Sequence, residues 1–238
     1  MLVVLQQALD SAMRQGLTVR NVAALVERPR VEHREQRTWT LPQARTFLSF
    51  VAEDRLAAAW WLTMRGLRRG EALGLRWVDV DLDAGTLTVR QARVLAGGRA
   101  VVGAPKSARG RRRLPLDSDL VAALRSLRAR EAAERLAAGS AYDDSGLVVT
   151  NELGRPVRPE WYSDRFNRLS REAGLPTIRL HDARHTAATL MLEAGTPVHV
   201  VAAWLGHDPA VTHRTYAHAH DDALRTAGEA LSRALSGG

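Results

Sequence analysis

The chain has 238 residues, of which 45% are hydrophobic and 25% charged, and none is a cysteine. This composition is typical of a folded globular protein, and it excludes a disulfide framework, a thiolate nucleophile and a cysteine-type zinc site. We find neither an apolar run long enough to span a bilayer nor an N-terminal signal peptide, so we expect a cytoplasmic protein without membrane contact.

The formal net charge is +8 and the isoelectric point calculated from the sequence is about 11.0. Such a basic chain favours a polyanionic partner, although an arginine-rich protein from a GC-rich genome can become basic without binding nucleic acid. Lys106 is the only lysine among the 34 basic residues. Because an ammonium loses its proton more readily than a guanidinium, Lys106 is a candidate general acid.

Two short helices are the first predicted elements. Apolar residues recur at helical spacing from Leu2 to about Gln15, Gly16 ends this pattern, and Asn21 can cap a second short helix. Two such helices cannot bury a core alone, so they are interpreted as the end of a domain or as an appendage. The polar, proline-containing stretch from Glu27 to Gln36 is typical of a linker.

The second part of the chain begins with three predicted helices. Residues 40–43 form a capping box with Pro42 in the first turn, and Asp54 can cap a helix that ends at Met64. A further helix is predicted from Leu67 to Trp77.

The hydrophobic period then changes from that of a helix to that of a strand. Short antiparallel strands are predicted at residues 80–82, 86–89, 100–102 and 113–116. The later elements are predicted helices at 117–138, 159–174 and 197–205, the helix containing His181, and two segments at and after Tyr216. The predicted fold class is α+β, mainly α-helical, with one small antiparallel sheet.

The C-terminal fifth collects side chains that suit a phosphodiester. His181 and Arg184 are three positions apart and therefore share one face of a helix. His207 closes a short apolar helix, and Tyr216 follows one segment later. Arginine and histidine can donate to phosphate oxygens, and a tyrosine hydroxyl can attack phosphorus. Three nearby histidines could be interpreted as a metal site, but their spacing resembles no zinc motif (His213, His218, His220).

This ordered series resembles box II of the tyrosine recombinases, the phage-integrase family. Residues 66–71, Gly-Leu-Arg-Arg-Gly-Glu, resemble box I of the same family, with Arg68 at its catalytic arginine and Glu71 at its supporting acidic residue. The resemblance implies the fold of a tyrosine-recombinase catalytic domain. It also implies the catalytic set Arg68, Lys106, His181, Arg184, His207 and Tyr216.

Lys106 lies between two predicted strands, where the resemblance places the catalytic lysine in a hairpin. The arginines that follow it, Arg109, Arg111 and Arg112, add a run of positive charge. A solvated hairpin tip is the plain interpretation of this run, and contact with DNA phosphates is the functional one.

The resemblance implies a transesterification on double-stranded DNA that needs no metal, nucleotide or other cofactor. Tyr216 would attack the scissile phosphate and form a 3′-phosphotyrosyl link, while Lys106 would protonate the departing 5′-oxygen. Arg68 and Arg184 would stabilise the charge on the non-bridging oxygens. His207, and with it His181, would accept the tyrosine proton or hold the phosphate.

The resemblance covers roughly Thr40 to the C-terminus and implies three regions. Residues 1–30 would be the C-terminal remnant of a helical core-binding (SAM-like) domain, 31–39 a linker, and 40–238 the catalytic domain. Expected partners are DNA, further copies of the chain in a tetramer on DNA, and accessory DNA-bending or directionality factors, with a nucleoid-associated location. A shortened DNA clamp predicts weaker and more salt-sensitive binding.

Three alternatives stay open at this point. The chain could be a DNA-binding relic that does not recombine, a type IB topoisomerase, or a helix-turn-helix transcription factor. The first would show a broken catalytic set, the second would relax plasmids without a partner strand, and the third leaves Lys106 and Tyr216 unexplained.

Overall fold

The structure, a computed structural model, describes residues 2–26, 37–103 and 108–207. The chain divides into two compact units, Met1–Glu35 and Gln36–Gly238. The division falls within the stretch assigned to a linker, and the origin of the first unit as a domain remnant stays a prediction. None of the described helices is long and apolar enough to cross a membrane.

The first unit holds helix α1 (Leu2–Arg14) and a 3-10 turn (Val22–Leu25). Asn21 caps this turn as predicted: its side chain accepts from the Ala23 amide at 3.1 Å and donates to the carbonyl of Gln6 at 3.0 Å. No residue of α1 is buried. Residues 2–26 therefore present a largely uncovered apolar surface instead of a core.

The described residues of the second unit form seven α-helices: α2 (Leu41–Phe50), α3 (Ala57–Met64), α4 (Arg69–Gly74), α5 (Ser118–Ala138), α6 (Pro159–Glu172), α7 (Leu180–Glu193) and α8 (Val198–Leu205). Thr40 and Gln43 form the predicted capping box of α2, and Asp117 caps α5 by accepting from the Leu120 amide at 3.0 Å. The mainly helical fold class is confirmed.

The strands form two small antiparallel sheets instead of the single sheet that we predicted. In the first, β2 (Thr86–Val89) lies between β1 (Val80–Asp81) and β5 (Arg112–Pro115). In the second, β3 (Ala92–Ala96) pairs with β4 (Arg99–Gly103). Strand β3 was not predicted because its sequence, Ala-Arg-Val-Leu-Ala, lacks an apolar–polar alternation.

Helix α4 ends at Gly74, earlier than the predicted end at Trp77. Leu75 is extended, and its carbonyl accepts from the Val148 amide at 2.9 Å. Arg76 then pairs with Leu147 in an isolated bridge. The helix thus ends because Leu75 bonds to a residue about seventy positions later in the sequence. Local sequence patterns do not predict such a contact.

The core of the second unit surrounds α3, the most deeply buried helix, and is rich in aromatic rings. Trp60 stacks on Tyr162 with ring centroids 4.5 Å apart, and Phe47 packs edge-on against Phe166 at 5.2 Å. The Tyr162 hydroxyl is bonded to the Thr63 hydroxyl at 2.7 Å and donates to the Ala59 carbonyl, and burial raises the pKa of Tyr162. Tyr162 is therefore a core residue, and the core fixes the turn that follows α3.

Candidate active site

The turn between α3 and α4 sets the first part of the site. Gly66 has φ +87°, and a Cβ atom there would lie 2.5 Å from a methyl carbon of Leu205, so the turn needs glycine. Arg68 follows at the N-terminal cap of α4, and its backbone amide donates to the Glu71 carboxylate at 3.0 Å. Arg68 is thereby held at a helix start, where its guanidinium remains 29% exposed.

Glu71 is the centre of the site, and its side chain is only 2% exposed. One carboxylate oxygen accepts from Arg68 at 2.7 Å, and both oxygens accept from Arg112 at 3.1 and 2.9 Å. The Arg184 guanidinium lies 3.9 Å away. Burial alone would raise the pKa of Glu71, but the hydrogen bonds from Arg112 and the charges of Arg112 and Arg68 hold it below its usual value.

The C-terminal end of α8 supplies the second set of acceptors. The carbonyl of Trp204 accepts from Arg112 Nε at 2.6 Å, that of Leu205 accepts from Arg184, and that of Gly206 accepts from Arg68 at 3.1 Å. These carbonyls have no partner within the helix and carry its partial negative charge. Three guanidiniums therefore meet one carboxylate and one helix end.

Arg184 is buried in α7 and joins the two boxes of the predicted set. Its guanidinium donates to the Gly66 carbonyl at 2.5 Å, and its Nε donates to His207 Nε2 at 3.3 Å. Since arginine always donates, Nε2 of His207 must be the acceptor, and the proton of the neutral ring is assigned to Nδ1. Nδ1 is buried and has no hydrogen-bond partner among the described residues.

The electrostatics keep His207 neutral. Burial first, and then the charges of Arg184 and Arg68, lower the pKa of His207 to about 3. At neutral pH this ring can donate from Nδ1 but is a poor base.

His181 and His185 pack together on α7, with ring centroids 5.0 Å apart and the rings nearly perpendicular. Partial burial, followed by the charge of Arg184, lowers the pKa of His181. Burial and then the neighbouring His181 lower the pKa of His185 to about 4. His181 is exposed at the start of the helix, whereas His185 is buried behind it.

The lowered pKa values predict a loss of stability in mild acid. The unfolded chain binds protons at His185 and His207 as pH falls through about 6.5, whereas the folded chain does not. We expect the free energy of unfolding to fall by about 1 kcal/mol per histidine between pH 7.5 and 5.5, a range in which carboxylates scarcely titrate. Urea unfolding at several pH values measures this slope.

His185→Gln is expected to make this pH slope shallower. His199→Gln, at an exposed position of α8, is the matched control for replacement of a histidine by glutamine. Equal slopes in the unmutated protein and His185→Gln would contradict the assignment of His185.

The three arginines expected at a solvated hairpin do not share one environment. Arg109 and Arg111 are exposed. Arg112 is not, because its side chain is only 7% exposed and is bound to Glu71. The plain interpretation as a solvated tip therefore does not hold for Arg112, and its contact with DNA stays a prediction. Alternation along β5 was the missed signal, since Arg112 lies on the same side of the strand as buried Leu114.

The structure thus brings together Arg68, Glu71, Arg184 and His207, with His181 at the start of α7. Lys106 and Tyr216 lie outside the described residues, so their place in the site stays a prediction. Among the described residues, no group of three or more histidine, aspartate or glutamate side chains could hold a metal ion.

Known proteins that are similar to this chain include a tyrosine recombinase and an integrase. A tyrosine recombinase XerC-like protein of Caldanaerobacter subterraneus subsp. tengcongensis is 34% identical over an alignment of 178 positions that covers 69% of this chain and 46% of that protein. The ICEBs1 integrase of Bacillus subtilis is 26% identical over an alignment of 212 positions that covers 85% of this chain and 56% of that protein. The chain spans about half the length of these curated relatives.

Solved structures share the fold. The Tn1549 transposon integrase, in complex with transposon right end DNA, matches with a TM-score of 0.73 at 21% identity, over 95% of this chain and 76% of that chain. The XerA recombinase matches with a TM-score of 0.63 at 23% identity, over 90% and 69% of the two chains. The model of the phage integrase family matches residues 40–223, a range that contains all predicted catalytic positions, and the chain therefore belongs to this family.

Proposed function

We propose that this chain is the catalytic part of a site-specific DNA recombinase, which cuts and rejoins double-stranded DNA through a 3′-phosphotyrosyl intermediate. The observation that carries the proposal is the joint fixation of Arg68 and Arg184 by Glu71 and by the carbonyls at the end of α8. Family membership and the recombinase and integrase names of the relatives support it.

The charge balance of the site suits a phosphodiester. Among the described residues, three guanidiniums (Arg68, Arg112, Arg184) face the Glu71 carboxylate, so these four side chains together carry a formal net charge of about +2. Arg68 is partly exposed and can reach a non-bridging oxygen, while Arg184 lies behind it and adds its field in a buried setting.

The two histidines take different roles in the proposed reaction. His207, with Nε2 occupied by Arg184, donates from Nδ1 to a phosphate oxygen once DNA binding uncovers this buried atom. It is not the acceptor of the tyrosine proton, because its lowered pKa makes it a poor base. His181, which is exposed and not bonded to Arg184 in this way, is the better candidate acceptor.

The bond changes follow from the residues matched by resemblance. The hydroxyl oxygen of Tyr216 forms a bond to phosphorus, and the bond from phosphorus to the 5′-oxygen breaks. Lys106 gives the leaving 5′-oxygen its proton. A 5′-hydroxyl from another strand then attacks the phosphotyrosine and releases the tyrosine, so no nucleotide is consumed.

We also propose the binding partners of this chain. The Tn1549 integrase and the λ integrase dimer were solved with DNA, which supports double-stranded DNA as the substrate of this chain. We also propose assembly of a tetramer on DNA, with exposed Arg109 and Arg111 contacting phosphates. Accessory DNA-bending or directionality factors would act with this assembly at the nucleoid.

A covalent-adduct assay tests the proposal without knowledge of the DNA site. The protein is incubated with a library of nicked duplexes, randomised around the nick, and adducts are isolated on a denaturing gel and sequenced. We expect adducts that share a sequence with the unmutated protein and none with Tyr216→Phe, because the phenylalanine ring has no nucleophilic oxygen.

The other outcomes of this assay are decisive as well. DNA binding without any adduct would contradict the proposal and favour a DNA-binding relic. Adducts combined with relaxation of a supercoiled plasmid, but without strand exchange between two duplexes, would favour a topoisomerase.

A further inference from the structure

We propose that Arg112 is a positioning residue of the cleavage reaction. Arg112 orients the Glu71 carboxylate and connects strand β5 to the guanidiniums of Arg68 and Arg184. This inference rests on the proposed function of the chain. It replaces the expectation that Arg112 contacts DNA directly.

Four of the five N–H donors of Arg112 are bonded within the protein. Nε donates to the Trp204 carbonyl at 2.6 Å, and one terminal nitrogen donates to Glu71 and to the Gly110 carbonyl, each at 3.1 Å. The other terminal nitrogen donates to Glu71 at 2.9 Å. With 7% of the side chain exposed, Arg112 has little surface to offer a phosphate.

The two-point contact fixes the plane of the Glu71 carboxylate. Oε1, which accepts from Arg112, also accepts from Arg68 at 2.7 Å. Oε2, the other oxygen bound by Arg112, lies 3.9 Å from Arg184. A rotation of the carboxylate would therefore move both guanidiniums that we assign to the phosphodiester.

Arg112 also connects three parts of the fold. It is the first residue of β5, where it pairs with Val89 of β2. Its side chain reaches the end of α8 and the start of α4 through Trp204 and Glu71. Lys106, the predicted general acid, lies six positions earlier in the sequence. The strand that follows Lys106 is thus anchored to the site by one side chain.

The test separates chemistry from DNA binding. Single-turnover cleavage at saturating DNA and the dissociation constant at several salt concentrations are measured for Arg112→Met and Arg112→Lys. We expect the cleavage rate of Arg112→Met to fall by about 10²-fold, as for a small displacement of reacting groups. Arg112→Lys should recover part of this loss, because it keeps one charged donor near Glu71. The affinity and its salt dependence should change little.

Two other arginines provide the comparison. Arg111→Met, at the exposed neighbouring position, should weaken binding and reduce the salt slope by about one. Arg135→Met, on an exposed part of α5 where it pairs with Asp144, controls for the loss of a positive charge elsewhere. Thermal unfolding of each variant sets an assay temperature at which all are folded. A purely structural Arg112 would lower the melting temperature but leave the cleavage rate of the folded protein unchanged.

Cleavage by Arg112→Met within about threefold of the unmutated rate, or a salt slope reduced as in Arg111→Met, would overturn the inference. If the unmutated protein forms no adduct, the proposed function fails, and Arg112 is then judged by NMR of the arginine Nε–H groups. Arg112→Lys should shift the Arg68 and Arg184 signals, whereas Arg135→Met should not. Unshifted signals in Arg112→Lys would refute the positioning role.

Discussion

Replacement of Arg184 by lysine is expected to lower the rate of DNA cleavage by about 10²-fold, the effect of a small displacement of the groups that Arg184 holds in place. Arg184 donates at once to the carbonyls of Gly66 and Leu205 and to His207. A lysine keeps the charge, but its single ammonium cannot occupy these three directions from one stem. His207 would then lose the donor that fixes its tautomer. Single-turnover cleavage at saturating DNA measures the effect.

Arg69→Lys is the matched control for this substitution. Arg69 is next to Arg68 in sequence, but its guanidinium turns away to the Ser163 hydroxyl at 2.9 Å. We expect its cleavage rate to stay within about threefold of the unmutated rate, as for a surface arginine outside the site. Equal rates for Arg184→Lys and Arg69→Lys would contradict the assignment of Arg184 to the chemistry.

Glu71→Gln is expected to lower the free energy of unfolding by about 3–5 kcal/mol, the range for removing one partner of a buried ion pair. Arg112 and Arg184 are almost wholly buried around this carboxylate. The amide keeps the volume but brings no charge, and its NH₂ group would face guanidinium donors. For a domain of this size the melting temperature should fall by about 10 °C. Urea and thermal unfolding measure both values.

Glu131→Gln provides a contrast at another buried glutamate. Glu131 accepts from the Trp77 indole and the Thr150 hydroxyl, and burial raises its pKa. Because burial already favours the neutral carboxylic acid of Glu131, we expect its replacement by a neutral amide to change the free energy of unfolding by at most about 1 kcal/mol. If both glutamine variants were equally stable, Glu71 could not be the centre that holds the arginines.

The pH dependence of the free energy of unfolding tests the charge of Glu71 in a second way. Because the pKa of Glu71 is lowered on folding, its contribution is present above the unfolded value near 4.5 and is lost as pH falls below it. Glu71→Gln should therefore remove part of the acid sensitivity of the protein.

Local signals in the sequence predicted much of the fold. The capping box at Thr40 and the cap at Asp117 act within one helical turn, and both helices start where these residues predict. Strand β3 and the early end of α4 were missed for a different reason. Each depends on a partner that the chain brings from elsewhere: β4 for the strand, and Val148 for Leu75.

In the candidate site, too, contacts between residues distant in the sequence were not predictable from local patterns. Periodicity alone could not join Arg68 to Arg184, which are 116 positions apart, and only the resemblance to a family placed them together. The role of Arg112 was missed by both routes. Its inward direction depends on the pairing of β5 with β2, and composition presented it as one of several similar arginines.

The end of α8 has a consequence for how the sequence of this protein can drift. The acceptors that hold Arg68, Arg112 and Arg184 there are main-chain carbonyls, which every amino acid provides. Exchange of an α8 side chain that keeps the helix in place therefore leaves these three acceptors intact. The vulnerable position is Gly206, whose φ of +63° stops the helix and whose Cβ, if present, would lie 2.7 Å from the Arg109 carbonyl. A change there would alter where the helix stops, and all three arginines would lose these carbonyl acceptors together.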